Sequence, residues 1–146
     1  MKIILDSNEF ILGLDKRVRE EASIKLLDTV RILIEELKDF QLLLPEIIRK
    51  EVQRNIPRDL EGDFYRLIYS SEKIKHYSML DVSLDLFRKY REERGLKEGD
   101  ALIAAFAEFM QVDYLISENR HIYRELSTKK FVALNAQEFL KILEEG

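Results

Sequence analysis

Short, uninterrupted apolar runs recur along the chain and predict buried strands. Ile3–Leu5, for example, has no polar residue on either face of the strand that it would form. Strands covered on both faces lack the polar alternation of half-exposed ones, so such runs are typical of a parallel sheet. The predicted strands lie at 3–5, 41–44, 113–117 and 131–134.

Helical periodicity fills most of the intervals between these runs. Apolar side chains at spacings of three and four predict an amphipathic helix over 17–39. The stretch from Ala101 to Met110 is apolar almost all round and therefore predicts a helix buried on most sides. Shorter helices are predicted at about 8–14, 46–55, 121–127 and 136–143.

The interval 58–95 has a weaker pattern. It favours one helix around 60–68 and another around 82–90, which Gly95 would end. Residues 70–71 and 76–78 are predicted to be connections.

Strands that alternate with helices predict right-handed crossovers and a mostly parallel sheet with helices on both faces. The fold class is therefore α/β. The chain has 146 residues, which fits a single domain over 1–146 with a core that needs no disulfide.

Composition narrows the chemistry. The chain has no cysteine, which excludes disulfides, zinc–thiolate sites and thiol nucleophiles. Charged residues make up 36% of it, and only 2 prolines and 5 glycines are present, a composition that resembles thermophile proteins. The first residues do not resemble a signal peptide and no run is long enough to span a membrane, so a cytoplasmic protein is expected.

The net charge of −4 and the pI near 5.4 argue mildly against a polyanion partner. This objection weakens if the acids cluster in a metal site while the bases lie elsewhere. Basic residues do concentrate at 49–54 and 88–97, although such runs also suit a solvated helix face.

Four acidic or amide side chains fall where predicted strands end or helices begin. Asp6 follows the first strand, and Asn119 follows the strand at 113–117. Asp100 opens a buried helix, and Glu51 lies one to two turns into the helix after the second strand. Functional groups of open α/β sheets gather at the carboxyl ends of the strands, so these side chains are candidates for one site.

Carboxylates that converge in this way need a compensating charge. At ~4–5 Å a pair repels by roughly 3–4 kcal/mol at an effective dielectric of 20. Raised pKa values or a bound cation would offset this repulsion. All-oxygen ligands select hard ions such as Mg²⁺ or Mn²⁺, and such an ion suits phosphodiester hydrolysis.

Each of these residues also has a purely structural interpretation. Asp6 and Asp100 could simply cap the helices that follow them, and Glu51 could pair with a neighbouring base. Asp113 is expected to start a strand and bond locally, and His121 to be a packing or surface residue. Taken singly, none of them supports an enzyme.

Four segments in order resemble the motifs of the PIN-domain family across nearly the whole chain. The third, with its Gly-Asp-Ala opening to a small-residue helix, is the most specific. The segments are Ile4–Asn8, Leu44–Val52, Gly99–Ala105 and Asp113–Arg120. The resemblance implies a Rossmann-like, three-layer α/β/α sandwich with metal-dependent endoribonuclease activity. It also implies single-stranded RNA as substrate, a possible antitoxin protein as partner, and a homodimer.

The resemblance also assigns roles to individual residues. Asp6, Glu51 and Asp100 would hold Mg²⁺ or Mn²⁺, and the hydroxyl of Ser117 would support the site. The family's last motif usually ends in Asp, where this chain has Asn119, so the site has three clear carboxylates rather than four. The candidates for contacts with RNA phosphates are Arg49, Arg54 and Arg120.

Three functional hypotheses follow. The first is a ribonuclease in which Asn119 orients the attacking water or a phosphate oxygen, and the second is a degenerate PIN domain that binds RNA or protein without catalysis. The third is a phosphotransfer fold of the haloacid-dehalogenase type with Asp6 as nucleophile. That pattern needs a second Asp where this chain has Asn8, which disfavours it.

Overall fold

A computed structural model describes residues 1–79 and 82–146. Over these residues the chain forms one five-stranded sheet in the order β3-β2-β1-β4-β5, and every neighbouring pair of strands is parallel. The strands are β1 (Lys2–Leu5), β2 (Gln41–Pro45), β3 (Ile74–Tyr77), β4 (Tyr114–Ile116) and β5 (Val132–Leu134). The predicted α/β sandwich with a parallel central sheet is confirmed.

Helices connect the strands and cover the sheet. They are α1 (Ser7–Leu14), α2 (Glu21–Glu36), α3 (Glu46–Asn55), α4 (Glu61–Ile68), α5 (Leu84–Arg88), α6 (Glu98–Phe109), α7 (Arg120–Tyr123) and α8 (Ala136–Glu145). A 3₁₀ turn at Arg58–Leu60 precedes α4, and a π-helical turn at Lys89–Glu93 follows α5. Among the described residues, no helix is long and apolar enough to cross a membrane.

β1 is the centre of the core. Ile4 pairs with Leu43 of β2 on one side and with Leu115 of β4 on the other. The side chains of Ile3 to Leu5 are 0% exposed, which explains why this strand reads as a continuous apolar run. Because β1 lies between β2 and β4, its carboxyl end meets the ends of both neighbours at one edge of the sheet.

The prediction of a connection at 76–78 is wrong, since residues 76 and 77 belong to β3. This strand forms an edge of the sheet: Ile74 is buried and His76 is exposed. Its own sequence is too polar to read as a buried run. Its pairing with Leu42 to Pro45 of β2 supplies the hydrogen bonds that fix it as a strand.

Two predicted helices are shorter than expected. The helix predicted over 17–39 spans only Glu21–Glu36, because Arg19 has a φ of 61°, in the left-handed region where a right-handed helix cannot continue. The helix predicted at 121–127 ends at Tyr123. The segment predicted as a helix over 82–90 forms α5 and the start of the π-helical turn.

Helices α1 and α2 pack closely at Gly13. A Cβ built there would lie 2.6 Å from Leu27 Cδ1 and 2.7 Å from the carbonyl oxygen of Ser23. A backbone atom cannot yield as a flexible side chain can, so only glycine fits at this helix crossing.

Replacing Gly13 by alanine should therefore lower the free energy of unfolding by about 1–3 kcal/mol, since the two helices must separate. Urea denaturation measures this change. Gly99→Ala is the matched control, because Gly99 also lies in a helix and a Cβ there meets nothing within 4 Å. It should leave stability unchanged or raise it by about 0.5–1 kcal/mol. Equal effects of the two substitutions would contradict close packing at Gly13.

Candidate active site

Asp6 lies where β1 ends, and its carboxylate is fixed from two sides. Its Oδ1 accepts a hydrogen bond of 2.8 Å from the backbone N–H of Ser7, and its Oδ2 accepts one of 2.7 Å from the hydroxyl of Ser117. Its own N–H donates to the carbonyl of Ile116, which joins the ends of β1 and β4. Asp6 therefore does cap α1, as the structural interpretation required, but its second oxygen faces β4.

Asp6 is only 5% exposed, and burial raises its pKa to about 6 even though the bonds from Ser117 and Ser7 act in the opposite direction. The negative charges of Glu51 and Asp100 raise this pKa further. The three acids that come from three distant parts of the sequence thus influence one another electrostatically.

Asp100 and Asn119 are directly bonded. The Asn119 side-chain amide donates to both carboxylate oxygens of Asp100, at 3.2 and 3.1 Å. Its Oδ1 accepts from the N–H of His121 and so caps α7, which fixes the direction of the amide. Asp100 itself lies in the first turn of α6, whose capping position is Lys97, so it does not cap its own helix.

Ser117 links the two halves of this arrangement. Its hydroxyl donates to Asp6 and accepts a bond of 3.0 Å from the N–H of Asn119. A continuous chain of hydrogen bonds therefore runs from Asp6 through Ser117 and Asn119 to Asp100. These four residues, together with Glu51, are called the acidic site below.

Glu51 lies in the middle of α3 and is half-buried. The neighbouring base Lys50 pairs with Glu46 at 2.9 Å, and Glu51 forms no ion pair with any described residue. The alternative of a surface Glu paired with its neighbour therefore does not describe it. Within residues 1–79 and 82–146, no three acidic or histidine side chains stand close enough to hold a metal ion without rearrangement.

The three arginines that are candidates for contacts with RNA differ in their side-chain contacts and exposure. Arg49 lies 3.8 Å from Glu46 and bonds to Gln53, so it is partly engaged. Arg54 and Arg120 are exposed.

Glu9 is a residue of this region that the sequence analysis did not identify. It is 0% exposed on the inner face of α1, where its Oε1 accepts a bond of 2.8 Å from the hydroxyl of Ser23. Its Oε2 has no partner among the described residues. Burial is the largest cause that raises the pKa of Glu9, and the neighbouring carboxyl of Glu118 is the next. Together they raise this pKa to about 10, so Glu9 is neutral at pH 7. An acid directly before the apolar run Phe10–Leu12 of α1 was the signal that could have identified it.

Glu118 ties the turn after β4 to the rest of the domain. Its carboxylate accepts from the N–H of Ala136 at 2.9 Å, and its own N–H donates to the side chain of Asn8. Its carboxylate is therefore bound at the start of α8. The expectation that Asp113 bonds locally is wrong: its Oδ2 accepts a bond of 2.8 Å from the N–H of Lys2, because β1 and β4 are adjacent only in the folded sheet.

The buried carboxyl of Glu9 predicts a pH dependence of stability. Its pKa rises from 4.5 to about 10 on folding, so the folded chain keeps a proton that the unfolded chain releases. Its contribution is complete below pH 4.5 and is lost as the pH rises towards 10. Between these values the free energy of unfolding should fall by up to about 1.4 kcal/mol per pH unit from this group alone.

Glu9→Gln is the matched control, since glutamine supplies one donor and one acceptor in the same shape and does not titrate. Its free energy of unfolding, measured by urea denaturation from pH 6 to 9, should fall less steeply than that of the wild type. Parallel curves for the two proteins would contradict a neutral Glu9.

The comparison with protein families agrees with this architecture. The PIN-domain model matches residues 3–126, a span that contains every residue of the acidic site. The chain belongs to the PIN-domain family. PIN domains are generally nucleases that use divalent metal ions, which places this chain in a nuclease-type class.

Solved structures share the fold of this PIN domain at low sequence identity. VapBC2 from Rickettsia felis, bound to a DNA fragment from its promoter, has 17% identity and a TM-score of 0.64, over 92% of this chain and 98% of that chain. A toxin–antitoxin complex from Klebsiella pneumoniae has 18% identity and a TM-score of 0.61, over 89% and 95%. The PIN domain of T. brucei RRP44 has 10% identity and a TM-score of 0.51, over 98% and 80%. No curated protein sequence matches the chain significantly.

Proposed function

We propose that this PIN domain is a metal-dependent endoribonuclease that hydrolyses single-stranded RNA, with Asp6, Glu51 and Asp100 as the ligands of Mg²⁺ or Mn²⁺. The observation that carries the proposal is the buried carboxylate of Asp6, whose pKa is raised by burial and by the charges of the other two acids. A divalent cation at this position would offset all three charges at once.

The donor set fits such an ion. Every candidate ligand is a carboxylate oxygen, and the chain has no cysteine, so a hard cation is favoured over zinc. Asp100 accepts two bonds from the amide of Asn119, which hold its carboxylate in one orientation. When bound, the ion would supply a water of lowered pKa and neutralise charge on the phosphate.

The remaining residues of the acidic site would position these ligands. Ser117 fixes one oxygen of Asp6 and so orients the other, and Asn119 fixes the rotamer of Asp100. Arg49, Arg54 and Arg120 would contact RNA phosphates in a salt-dependent manner.

Removing either of two acids tests the proposal. Asp6→Asn and Asp100→Asn should each reduce cleavage of single-stranded RNA in Mn²⁺ by roughly two orders of magnitude or more, because each removes a charge that the cation needs. Circular dichroism should show an intact fold. Asp39→Asn, at an exposed acid that precedes the amino end of β2, is the control and should cleave normally. Full activity of both site variants would refute the assignment.

Asn119→Asp tests the metal site from the opposite direction. It would place a second carboxylate against Asp100, where the amide now donates at 3.1 and 3.2 Å. Two carboxylates at this separation repel, so the metal-free protein should lose stability. Affinity for Mn²⁺ should rise by roughly tenfold or more, measured by titration calorimetry. Unchanged or weaker binding of Mn²⁺ would count against a metal site here.

The bond between Asn119 and Asp100 also supports a second candidate, a PIN domain that binds RNA or a protein without catalysis. Asp100 is satisfied by a neutral amide and has no need of a cation in this arrangement. Absence of Mn²⁺ binding at millimolar metal, together with RNA binding but no cleavage, would favour this candidate.

We further propose that the chain is the toxin of a toxin–antitoxin pair and forms a homodimer. The two most similar structures described above come from such complexes. Co-purification with a small DNA-binding protein encoded beside it, followed by measurement of mass in solution, tests both points. A monomer that binds no such protein would refute them.

A further inference from the structure

A small basic cavity adjoins the acidic site. It lies between the segment that leads into α6 and helix α7, and its volume is about 120 Å³. The lining residues are Arg94, Gly95, Leu96, Lys97, His121 and Glu125.

The same two elements that form this cavity also carry Asp100 and Asn119. Lys97 is the capping residue of α6 and precedes Asp100 by three positions, which is less than one helical turn. Asn119 caps α7 by accepting from the N–H of His121. The cavity therefore lies close to Asp100 and Asn119 along the backbone, and the bond from the His121 N–H to Asn119 holds one of its walls.

The cavity contains cationic groups that pair with no carboxylate among the described residues. Arg94 and Lys97 are exposed, and neither forms an ion pair with another residue of the described chain. Glu125 is the one acidic lining residue, and its carboxylate bonds to Nδ1 of His121 at 2.7 Å. This bond leaves the Nε2 of His121 available as a further polar contact.

We propose that this cavity is a phosphate subsite, in which Arg94 and Lys97 bind the RNA phosphodiester that neighbours the one at the acidic site. The inference rests on the proposed function and adds to it how the substrate is positioned. A volume of about 120 Å³ is large enough for a phosphate group. The side chains of Arg94 and Lys97 would bind the negatively charged RNA backbone. Because they are positively charged, they would not compete with the three acids for the metal ion.

The double variant Arg94→Gln/Lys97→Gln tests this subsite. Its affinity for a short fluorescein-labelled single-stranded RNA, measured by anisotropy in EDTA, should fall roughly tenfold. The slope of log affinity against log salt should become shallower by about 1, since one phosphate contact is lost. Lys38→Gln/Lys141→Gln is the control, because it makes the same change in net charge at two exposed lysines that lie outside the cavity. This control should change the RNA affinity and the salt slope much less than the double variant in the cavity does.

The outcomes separate the inference from the function on which it rests. Equal losses in the two double variants, or an unchanged salt slope, would overturn the subsite while cleavage by the wild type still supports a ribonuclease. A wild-type chain that binds no RNA would overturn both. If circular dichroism shows that the double variant is misfolded, Lys97→Glu alone should still weaken RNA binding more than Lys38→Glu, and equal effects would again overturn the subsite.

Discussion

The contact on which the rest of the site depends is the bond between the buried carboxylate of Asp6 and the hydroxyl of Ser117. It joins the ends of β1 and β4, the central pair at the carboxyl edge of the sheet, and it holds a charge where water is largely absent. A buried carboxylate is costly unless donors or a cation compensate it. Two neutral donors compensate Asp6 only in part, as its raised pKa shows. In the proposed function, a divalent cation would offset the remaining cost.

The departure of this chain from its family's usual motif is local. Asn119 donates its amide to Asp100, caps α7 through its oxygen, and bonds to Ser117 through its backbone. An aspartate could make the last two of these bonds but would repel Asp100. The asparagine therefore allows the acidic site to be stable without a cation, at the expense of one ligand charge. In the proposed nuclease, three carboxylates would suit one divalent ion and would hold a second more weakly.

Charge is distributed unevenly around this edge, so the acidic net charge of the chain does not argue against the RNA substrate proposed above. Asp6 lies at the end of β1, Glu51 in the middle of α3 and Asp100 in the first turn of α6, and the charges of Glu51 and Asp100 raise the pKa of Asp6. Bases that form no ion pair with the described residues line the cavity between the α6 entry and α7. Glu9, the remaining buried acid, adds no charge at neutral pH, because burial and the nearby Glu118 keep it protonated. Net charge consequently says little about this surface, since a polyanion responds to the local field.

The sequence by itself determined the α/β class, the parallel strands and the positions of the candidate ligands, because apolar runs and motif order are local properties of the chain. Tertiary structure alone decided three things. β3 became a strand only through its pairing with β2. The neutral state of Glu9 follows from its complete burial between α1 and α2, which no local pattern specifies. Asp6, Ser117, Asn119 and Asp100 became one hydrogen-bonded chain because the crossovers bring β1, β4 and α6 to the same edge, and a bond between residues 111 positions apart leaves no periodic trace in the sequence.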